Sequence, residues 1–196
     1  MQSDKELVEG CKKQQSYAQM LLYKKYAPEA KAVCLMYIKD KDLAKDIIQD
    51  SFIKVFENLH SYRYDGPLMA WIRRIVVNTT LNYIRKSNKE GKVMIKEDLT
   101  QLEILEDHED DMMDELIQDL TGEDIHQGII NLPENFRLVF SLYYLEDYSH
   151  KEIADKLNIN ESLSRVWLNR SKKMLKNILL DVLTKNGINE KGFIKK

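Results

Sequence analysis

The sequence predicts an all-α protein of two helical domains joined by an acidic linker. Apolar residues recur every three to four positions through most of the 196-residue chain, which is the spacing of amphipathic helices. The chain has only 7 Gly and 3 Pro, too few for the many turns of a β-sandwich or barrel. No stretch shows the alternation of a strand, and no internal repeat is evident.

A net charge of −2 conceals a strong asymmetry along the chain. Residues 1–96 carry 18 Lys and Arg against 11 Asp and Glu, whereas residues 97–124 carry 13 acidic residues and no Lys or Arg. Residues 125–196 are basic again, with 12 Lys and Arg against 8 acidic residues. Because a dense block of one charge stays solvated, we expect domains at 1–96 and 125–196 and a linker at 97–124.

Composition excludes several kinds of protein and site. Two cysteines, Cys11 and Cys34, cannot build a disulfide framework, and the apolar runs are too short to span a membrane. We therefore expect a cytoplasmic protein without membrane insertion. The four histidines lie far apart, and the sequence contains neither a phosphate-binding glycine loop nor a nucleophile motif. We predict no catalytic residue, no metal site, no cofactor and no enzymatic activity.

The first domain is predicted to be a bundle of four helices. The first spans about 4–26, Pro28 begins a second that runs to about 38, and Asp40 or Asp42 caps a third. The third helix ends near residue 59, and the segment SYRYDGP after it is a loop. Pro67 suits the first turn of the fourth helix, which runs to about residue 87.

The second domain is predicted to contain three shorter helices, at about 134–146, 150–157 and 161–180. Ser149 and Glu152 have the spacing of a capping box. Asn158 tolerates a left-handed turn, and Asn160 is suited to cap the next helix. With small Ala154 at the crossing, this spacing is typical of a helix-turn-helix. An ordinary helical hairpin is the alternative.

Helical spacing divides the last of these helices into two faces. Ser164, Leu168, Ser171, Leu175 and Leu179 form the face predicted to be buried. The second helix of a helix-turn-helix lies in the major groove of DNA, where Arg165 can pair with guanine or phosphate. Lysines such as Lys173 more often hold phosphates. The candidate DNA contacts are Lys151, Ser162, Arg165, Val166, Asn169, Arg170 and Lys173.

A second candidate DNA surface combines the loop 61–66 with the basic helix that follows it. Tyr62 and Tyr64 offer rings on which bases can stack, and Asn78 can hydrogen-bond to a base edge. Positive charge comes from Arg63, Arg74, Arg85 and Lys86. This chemistry suits unpaired DNA or a base flipped out of the duplex. Trp71 is expected to be a core residue rather than a stacking platform.

Three blocks, in this order, resemble bacterial RNA polymerase sigma factors of the extracytoplasmic-function group. They are DLAKDIIQDSFIKVFENLHSYR, MAWIRRIVVNTTLNYIRK and LPENFRLVFSLYYLEDYSHKEIADKLNIN. That group keeps only sigma regions 2 and 4, and the resemblance covers about 10–90 and 125–180. It implies a promoter-recognition factor that binds core RNA polymerase and promoter DNA and helps to melt the DNA. Members of that group are often held by an anti-sigma factor, which makes such an inhibitor a candidate partner.

The resemblance assigns roles to particular residues. Asp46, Gln49 and Asp50 match positions that dock on the coiled coil of the polymerase β′ subunit. The apolar helix around Leu132, Phe136, Phe140 and Tyr143 matches the part that meets the flap of the β subunit, and Phe136 and Phe140 are its candidate contacts. Loop 61–66 and the helix with Asn78 match the part that opens and reads the −10 element, and the helix 161–173 matches the part that reads the −35 element.

The last helix departs from the family pattern at Val166 and Trp167, which stand where polar residues are usual. Leu163, Trp167 and Met174 are predicted to form an extra apolar ridge. We expect this ridge to pack within the protein or to contact another protein, because a large indole fits poorly against an intact base pair. The alternative function is an operator-binding regulator that acts without polymerase. That alternative leaves the Asp46–Asp50 helix and the aromatic loop unexplained.

Overall fold

A computed structural model describes residues 3–89 and 120–185 of the chain. Within these ranges every regular element is helical, which confirms the predicted fold class. The described residues belong to two compact units, one with residues 3–89 and the other with residues 120–185. No helix in these ranges is long and apolar enough to cross a membrane. Most of the segment predicted as a linker, residues 97–119, lies outside the described residues.

The first unit contains four α-helices and one short 3-10 turn. The helices are α1 (Asp4–Lys12), α2 (Ser16–Leu35), α3 (Lys41–Asn58) and α4 (Leu68–Lys89), and the turn is Leu59–Ser61. Helix α2 packs against α1, α3 and α4. Large side chains with almost no exposed surface form the hydrophobic core: Leu22, Tyr37, Ile47, Phe52, Leu59, Leu68, Ile72 and Leu81. Asp40 caps α3, as predicted, by accepting the backbone N–H groups of residues 42 and 43.

The prediction of one helix over 4–26 is wrong, because the chain turns between Lys12 and Ser16. Gln14 is left-handed, with φ 56°. The N–H of Gln15 donates to the carbonyl of Gly10 (3.1 Å), and the N–H of Gln14 donates to that of Cys11 (2.9 Å). These two bonds form a Schellman motif, which usually has Gly or Asn at the left-handed position. A glutamine there left no signal of the turn in the sequence.

Pro28 lies inside α2 rather than at the start of a helix, which corrects a second boundary. A proline inside a helix removes one backbone hydrogen bond. Pro28 is exposed, so solvent can reach the carbonyl that loses its donor. The helix therefore continues through it to Leu35.

A close crossing of α1 and α2 depends on Gly10. A Cβ atom placed on Gly10 would lie 2.6 Å from the Cβ of Ala18, which is too short for any other residue without displacement. Helix α1 is also held to α2 by an ion pair, in which the Lys25 Nζ lies 2.6 Å from the Asp4 Oδ1. The lysine hydrogen bond is the main cause that lowers the pKa of Asp4. Helix α1 is thus a fixed part of the first unit.

The second unit contains α5 (Gly122–Asn131), α6 (Glu134–Tyr144), α7 (His150–Leu157) and α8 (Glu161–Lys185). Helix α8 packs against the other three. The start of α5 falls inside the segment predicted as a linker, and this helix was not predicted. Thr121 and Asp124 form its capping box, so acids that suggested a solvated linker instead stabilise a helix N-terminus.

A buried arginine joins α5 to α6. The Nη1 of Arg137 donates to the carbonyls of Ile130 (3.0 Å) and Leu132 (3.4 Å) at the end of α5. Its side chain is fully buried, and desolvation lowers the pKa of its guanidinium. On the other side of α5, a Cβ atom on Gly128 would lie 2.9 Å from side-chain atoms of Leu175 and Leu179 of α8. Helix α5 is therefore held against α6 by Arg137 and against α8 by the close approach at Gly128.

Candidate functional site

The helix-turn-helix predicted at residues 149–173 is present as α7, a tight turn and the first part of α8. Ser149 and Glu152 form the predicted capping box. Asn158 is left-handed, with φ 57°, and the N–H of Ile159 donates to the carbonyl of Ala154 (3.1 Å). The Oδ1 of Asn160 accepts the N–H of Leu163 (2.6 Å) and caps α8. These three local predictions (the capping box, the left-handed Asn158 and the Asn160 cap) are confirmed, and they favour a helix-turn-helix over an ordinary helical hairpin.

His150 connects these two helices through side-chain contacts that the sequence did not reveal. Its Nδ1 lies 3.0 Å from the hydroxyl oxygen of Ser164, which is fully buried in α8. The imidazole also stacks on the ring of Tyr143, with 5.0 Å between ring centroids. One side chain thereby contacts both α6 and α8 from the first turn of α7.

The two predicted faces of α8 agree with the structure. All five residues of the inner face are buried: Ser164, Leu168, Ser171, Leu175 and Leu179. Of the candidate DNA contacts, Lys151, Ser162, Arg165 and Lys173 are exposed, whereas Val166, Asn169 and Arg170 are half-buried. An ion pair one turn apart joins the Arg165 guanidinium to the Glu161 carboxylate. The outer face of α8 therefore presents positive charge and small polar groups.

The apolar ridge expected on α8 is absent from the surface. Leu163 is 3% exposed and Trp167 is 2% exposed, so both belong to the hydrophobic core. Their packing within the protein is confirmed, whereas Met174 is 40% exposed. Leu163 and Trp167 therefore widen the buried face of α8 beside Ser164 and Leu168. The Trp167 indole does not lie on the solvent-exposed side of the helix.

The exposed face of α3 carries the residues predicted to dock on polymerase. Asp46, Gln49 and Asp50 are all exposed, and their spacing places them on one side of the helix. Ile53, which is 55% exposed, continues this face by one turn. On the other side, Ile47 and Phe52 are buried in the core. The helix therefore presents an acidic surface with one apolar side chain.

The apolar helix predicted to meet the β flap differs from expectation. Phe140 is only 8% exposed and Phe136 is half-buried, so Phe140 is a core residue and not an open contact. The reason is that residues 137–142 of α6 are all buried. The aromatic surface lies at the end of the helix instead, where Tyr143 and Tyr144 are 36% and 44% exposed, followed by Leu145 at 39%.

A cavity of about 360 Å³ lies between the loop 61–67 and the first turns of α4. The Tyr62 hydroxyl donates to the carbonyl of Gly66 (2.6 Å) and closes the loop on itself. The Tyr62 ring lies 5.6 Å from that of Trp71. The cavity is lined by Ser61, Tyr62, Arg63, Asp65, Gly66, Pro67, Ala70, Trp71 and Arg74. Aromatic surface and charged groups of both signs thus meet at one site.

The two aromatic predictions for this site need correction. Tyr62 is only 9% exposed, because its ring and hydroxyl are used to build the loop, and it offers no open stacking face. Trp71 is half-buried and lines the cavity, so it is more than a core residue. Asp65 also lines the cavity and was not predicted as a site residue. The sequence could not show these roles because they depend on how the loop folds back on α4.

Tyr64 is held by α1, which lies more than fifty residues earlier in the chain. Its hydroxyl donates to the Oε1 of Glu9 (2.7 Å). The Lys12 Nζ lies 3.3 Å from the same oxygen and 5.0 Å from the Tyr64 ring centroid. The tyrosine hydrogen bond, followed by that of Lys12, lowers the pKa of Glu9. Tyr64 is left-handed, with φ 63°, a conformation that costs about 1–3 kcal/mol for such a residue.

The remaining candidates lie along α4. Arg74, Asn78 and Lys86 are exposed, and Arg85 is half-buried. Arg74 and Asn78 are one helical turn apart and so share a side of the helix, and Arg74 lines the cavity. Asn78 therefore lies next to the cavity along this side of α4.

Comparison with known proteins finds two separate family matches along the chain. Residues 22–90 match the family model for sigma-70 region 2, and residues 122–175 match that for sigma-70 region 4. The ECF RNA polymerase sigma factor SigM of Bacillus subtilis is 27% identical over 178 residues, which cover 86% of this chain and 96% of the relative. The ECF RNA polymerase sigma-E factor of Haemophilus influenzae is 26% identical over 183 residues, covering 89% and 94%.

Among solved structures, the chain is similar to the sigma factor RpoE of Bartonella quintana, which was crystallised in complex with the anti-sigma factor NepR. The TM-score is 0.44 at 18% identity, and the likeness covers 82% of this chain and 95% of the other. The two family matches together cover more than half of the 196 residues. The chain therefore belongs to the sigma-70 family. Its two regions and its similarity to these relatives show that it is an RNA polymerase sigma factor of the extracytoplasmic-function group, which acts in the initiation of transcription.

Proposed function

We propose that the surfaces described above divide the work of initiation between them. The exposed face of α3 binds core RNA polymerase, the loop cavity receives an unpaired base of the −10 element, and α8 reads the −35 duplex. The single observation that carries this proposal is the cavity between loop 61–67 and α4. Aromatic surface beside charged groups suits an unpaired base, whereas duplex DNA is held mainly through its phosphates.

The chemistry of the cavity suits one nucleotide. Its volume of about 360 Å³ is within the range of small-molecule sites, and the indole of Trp71 supplies an aromatic wall. Arg63 and Arg74 are exposed at the site and can hold the phosphates on either side of a flipped base. The carboxylate of Asp65 can accept a hydrogen bond from the exocyclic amino group of a base. Base flipping of this kind costs least where the duplex is already opening.

The outer face of α8 suits duplex DNA. Arg165 can form a bidentate pair with guanine, while Lys151 and Lys173 supply charge for phosphates. Ser162 and Asn169 add short polar groups near the start of the helix. The ion pair with Glu161 orients the Arg165 side chain along α8 in the free protein.

Two further surfaces suit core polymerase. The carboxylates of Asp46 and Asp50, with the amide of Gln49 and the apolar Ile53, fit a basic or polar helical partner such as the β′ coiled coil. In the second unit, Tyr143, Tyr144 and Leu145 form the exposed apolar surface that we assign to the β flap in place of Phe140. Control by an anti-sigma factor, action in the cytoplasm and the absence of catalysis by the chain itself complete the proposal.

Promoter opening by reconstituted holoenzyme tests this division. Core polymerase and the full chain are mixed with a promoter mapped after overexpression, and run-off transcripts are measured. We expect the double variant Arg63→Ala, Arg74→Ala to bind core polymerase and the −35 duplex normally but to open the promoter poorly. Arg165→Ala should weaken −35-dependent transcription and spare core binding, whereas Gln49→Ala with Asp50→Ala should weaken core binding.

Matched controls separate these effects from general damage. Met174→Ala removes an exposed side chain of α8 outside the proposed DNA contacts, and Glu29→Gln removes an exposed acid of α2. Both should transcribe like the parent. If the parent chain gives no promoter-dependent transcript, the proposed function is wrong. If Arg165→Ala lowers core binding as much as it lowers transcription, the role given to α8 is wrong.

A further inference from the structure

A continuous set of contacts links α1 to the cavity. Glu9 accepts the Tyr64 hydroxyl at 2.7 Å, and the Tyr64 ring lies 4.8 Å from the Tyr62 ring. Tyr62 donates to the Gly66 carbonyl and packs beside Trp71. Both of these aromatic residues line the cavity. A displacement of Tyr64 would therefore reach the cavity wall through one intervening ring.

Helix α1 is well placed to support this loop. Its first turn is closed by the Ser3–Glu6 capping box and anchored to α2 by the Asp4–Lys25 ion pair. Glu9 and Lys12 lie at the other end of the helix, next to the loop. The match to region 2 begins at residue 22, so neither residue belongs to the part of the chain that the family model describes.

Tyr64 requires such support because its backbone is left-handed, with φ 63°. An aromatic residue holds this conformation only where surrounding contacts compensate for it. Here the compensation comes from the Glu9 carboxylate at the hydroxyl and from the Lys12 ammonium over the ring. Lys12 also contacts Glu9, so the two charged side chains orient each other against the ring.

We propose that Glu9 and Lys12 are positioning residues for the −10 site: they hold Tyr64, and through it Tyr62, so that the cavity is formed before DNA arrives. By this proposal α1 contributes to promoter opening through the shape of the loop and not through contacts with DNA. The inference rests on the proposed function of the cavity, and it adds that α1 holds the cavity in shape.

The test compares variants that remove each end of the Tyr64–Glu9 hydrogen bond. Tyr64→Phe removes only the hydroxyl, Glu9→Ala removes the acceptor, and the double variant removes both. Holoenzyme made with the full chain is mixed with a promoter that carries 2-aminopurine in the −10 element, whose fluorescence rises when the base unstacks. Because a hydrogen bond to a charged group at an exposed site has a modest net effect, each single variant should open the promoter about threefold to tenfold more slowly.

The decisive result is that the double variant is no slower than either single variant, since both changes break the same contact. Glu9→Gln keeps a side-chain carbonyl as acceptor and should recover part of the rate. Glu29→Gln makes the same change of charge on α2 and should behave like the parent. The affinity for core polymerase, measured by titration, should be the same for all of them.

Three results would overturn the inference. These are parental opening rates in Tyr64→Phe and Glu9→Ala, effects that multiply in the double variant, and a loss of core affinity that accounts for the slower opening. The first would leave the proposed function intact, because the parent would still open the promoter. A parent that shows no fluorescence rise with core polymerase would instead remove the proposed function, and the inference with it.

Discussion

The two surfaces that we propose to bind DNA in this sigma factor are built in different ways. The helix-turn-helix is held mainly by contacts between residues a few positions apart, such as the Ser149–Glu152 capping box and the Asn160 cap of α8. In the loop 61–67, Tyr64 contacts Glu9 and Lys12, which lie more than fifty residues earlier in the chain. We therefore expect substitutions elsewhere in the chain to leave the helix-turn-helix unchanged. Substitutions in α1 should instead alter the loop 61–67.

Gln14 and Asn158 show the same difference at the level of single turns. Both are left-handed, with φ 56° and 57°, and both end a helix with a Schellman hydrogen bond, from Gln15 to Gly10 and from Ile159 to Ala154. Asparagine is a usual residue at that position and glutamine is not. The turn of the helix-turn-helix is therefore encoded locally, whereas the turn after α1 is imposed by the close crossing of α1 and α2.

The largest effect should come from Trp167→Ala, which tests whether the helix-turn-helix depends on the buried face of α8. Removal of a fully buried tryptophan leaves a cavity, and we expect a loss of about 3–5 kcal/mol in the free energy of unfolding. Urea unfolding of the full chain, followed by circular dichroism, measures the loss. Met174→Ala on the same helix should cost far less. Unchanged stability with weaker binding to −35 DNA would mean that the indole contacts DNA after all.

Gly10→Val tests the loop surface, because a larger side chain at this position should move α1. Its side chain would overlap with Ala18, and overpacking of this kind costs about 1–3 kcal/mol. We expect slower promoter opening than in Tyr64→Phe, because the whole support of the loop moves, with normal binding of a −35 duplex. The rate of open-complex formation measures promoter opening, and a gel-shift titration measures binding of the −35 duplex. A parental opening rate would show that the loop keeps its shape without α1.

Ser149→Ala should have a smaller effect that is confined to the second unit. It removes a cap that accepts the Glu152 N–H, and loss of such a cap costs about 1 kcal/mol. In a Trp71→Phe background Trp167 is the only tryptophan, so its fluorescence during urea unfolding reports on the second unit. Ser149→Thr keeps the hydroxyl and is the control. An equal loss in both variants would argue against the capping contact as the cause.

The smallest effect is expected from Glu161→Gln. The exposed Arg165–Glu161 ion pair stabilises α8 by only about 0.3–0.5 kcal/mol, so the helix should remain folded. Removal of the carboxylate frees Arg165 for DNA, and affinity for −35 duplex should rise about twofold at low salt. Fluorescence anisotropy at two salt concentrations measures the change. Weaker binding would show that Glu161 orients Arg165 productively.

Local patterns predicted most of the second unit. The capping residues, the left-handed Asn158 and the 3.6-residue spacing of Ser164, Leu168 and Leu175 all act within one or two turns of helix. They were therefore visible in the sequence and agree with the structure. Helix α5 was missed because its first turn is acidic, and acidic residues suit both a solvated linker and a helix N-terminus.

Burial of particular aromatic side chains was harder to predict. Phe140 and Tyr144 are both aromatic and one turn apart on α6, yet the first is 8% exposed and the second 44%. Tyr62 and Tyr64 are two residues apart in the same loop and are 9% and 42% exposed. Spacing within one element gives the angle between side chains, but it does not say how much of that element other helices cover.

The sequence by itself determined the all-α class and the helix-turn-helix, because both depend on helical periodicity and on short-range capping. The two sigma regions and the exposed face of α3 came instead from the resemblance of three sequence blocks to a known family. Only the tertiary structure decided the shape of the loop cavity, the burial of Tyr62 and the contacts of Glu9 and Lys12 with Tyr64. Those features depend on contacts between segments that are distant in the chain, and a hydrogen bond such as that of Tyr64 to Glu9 leaves no periodic signal in either segment. The physical reason is that side-chain contacts across a fold are set by how its helices pack, which local preferences limit but do not specify.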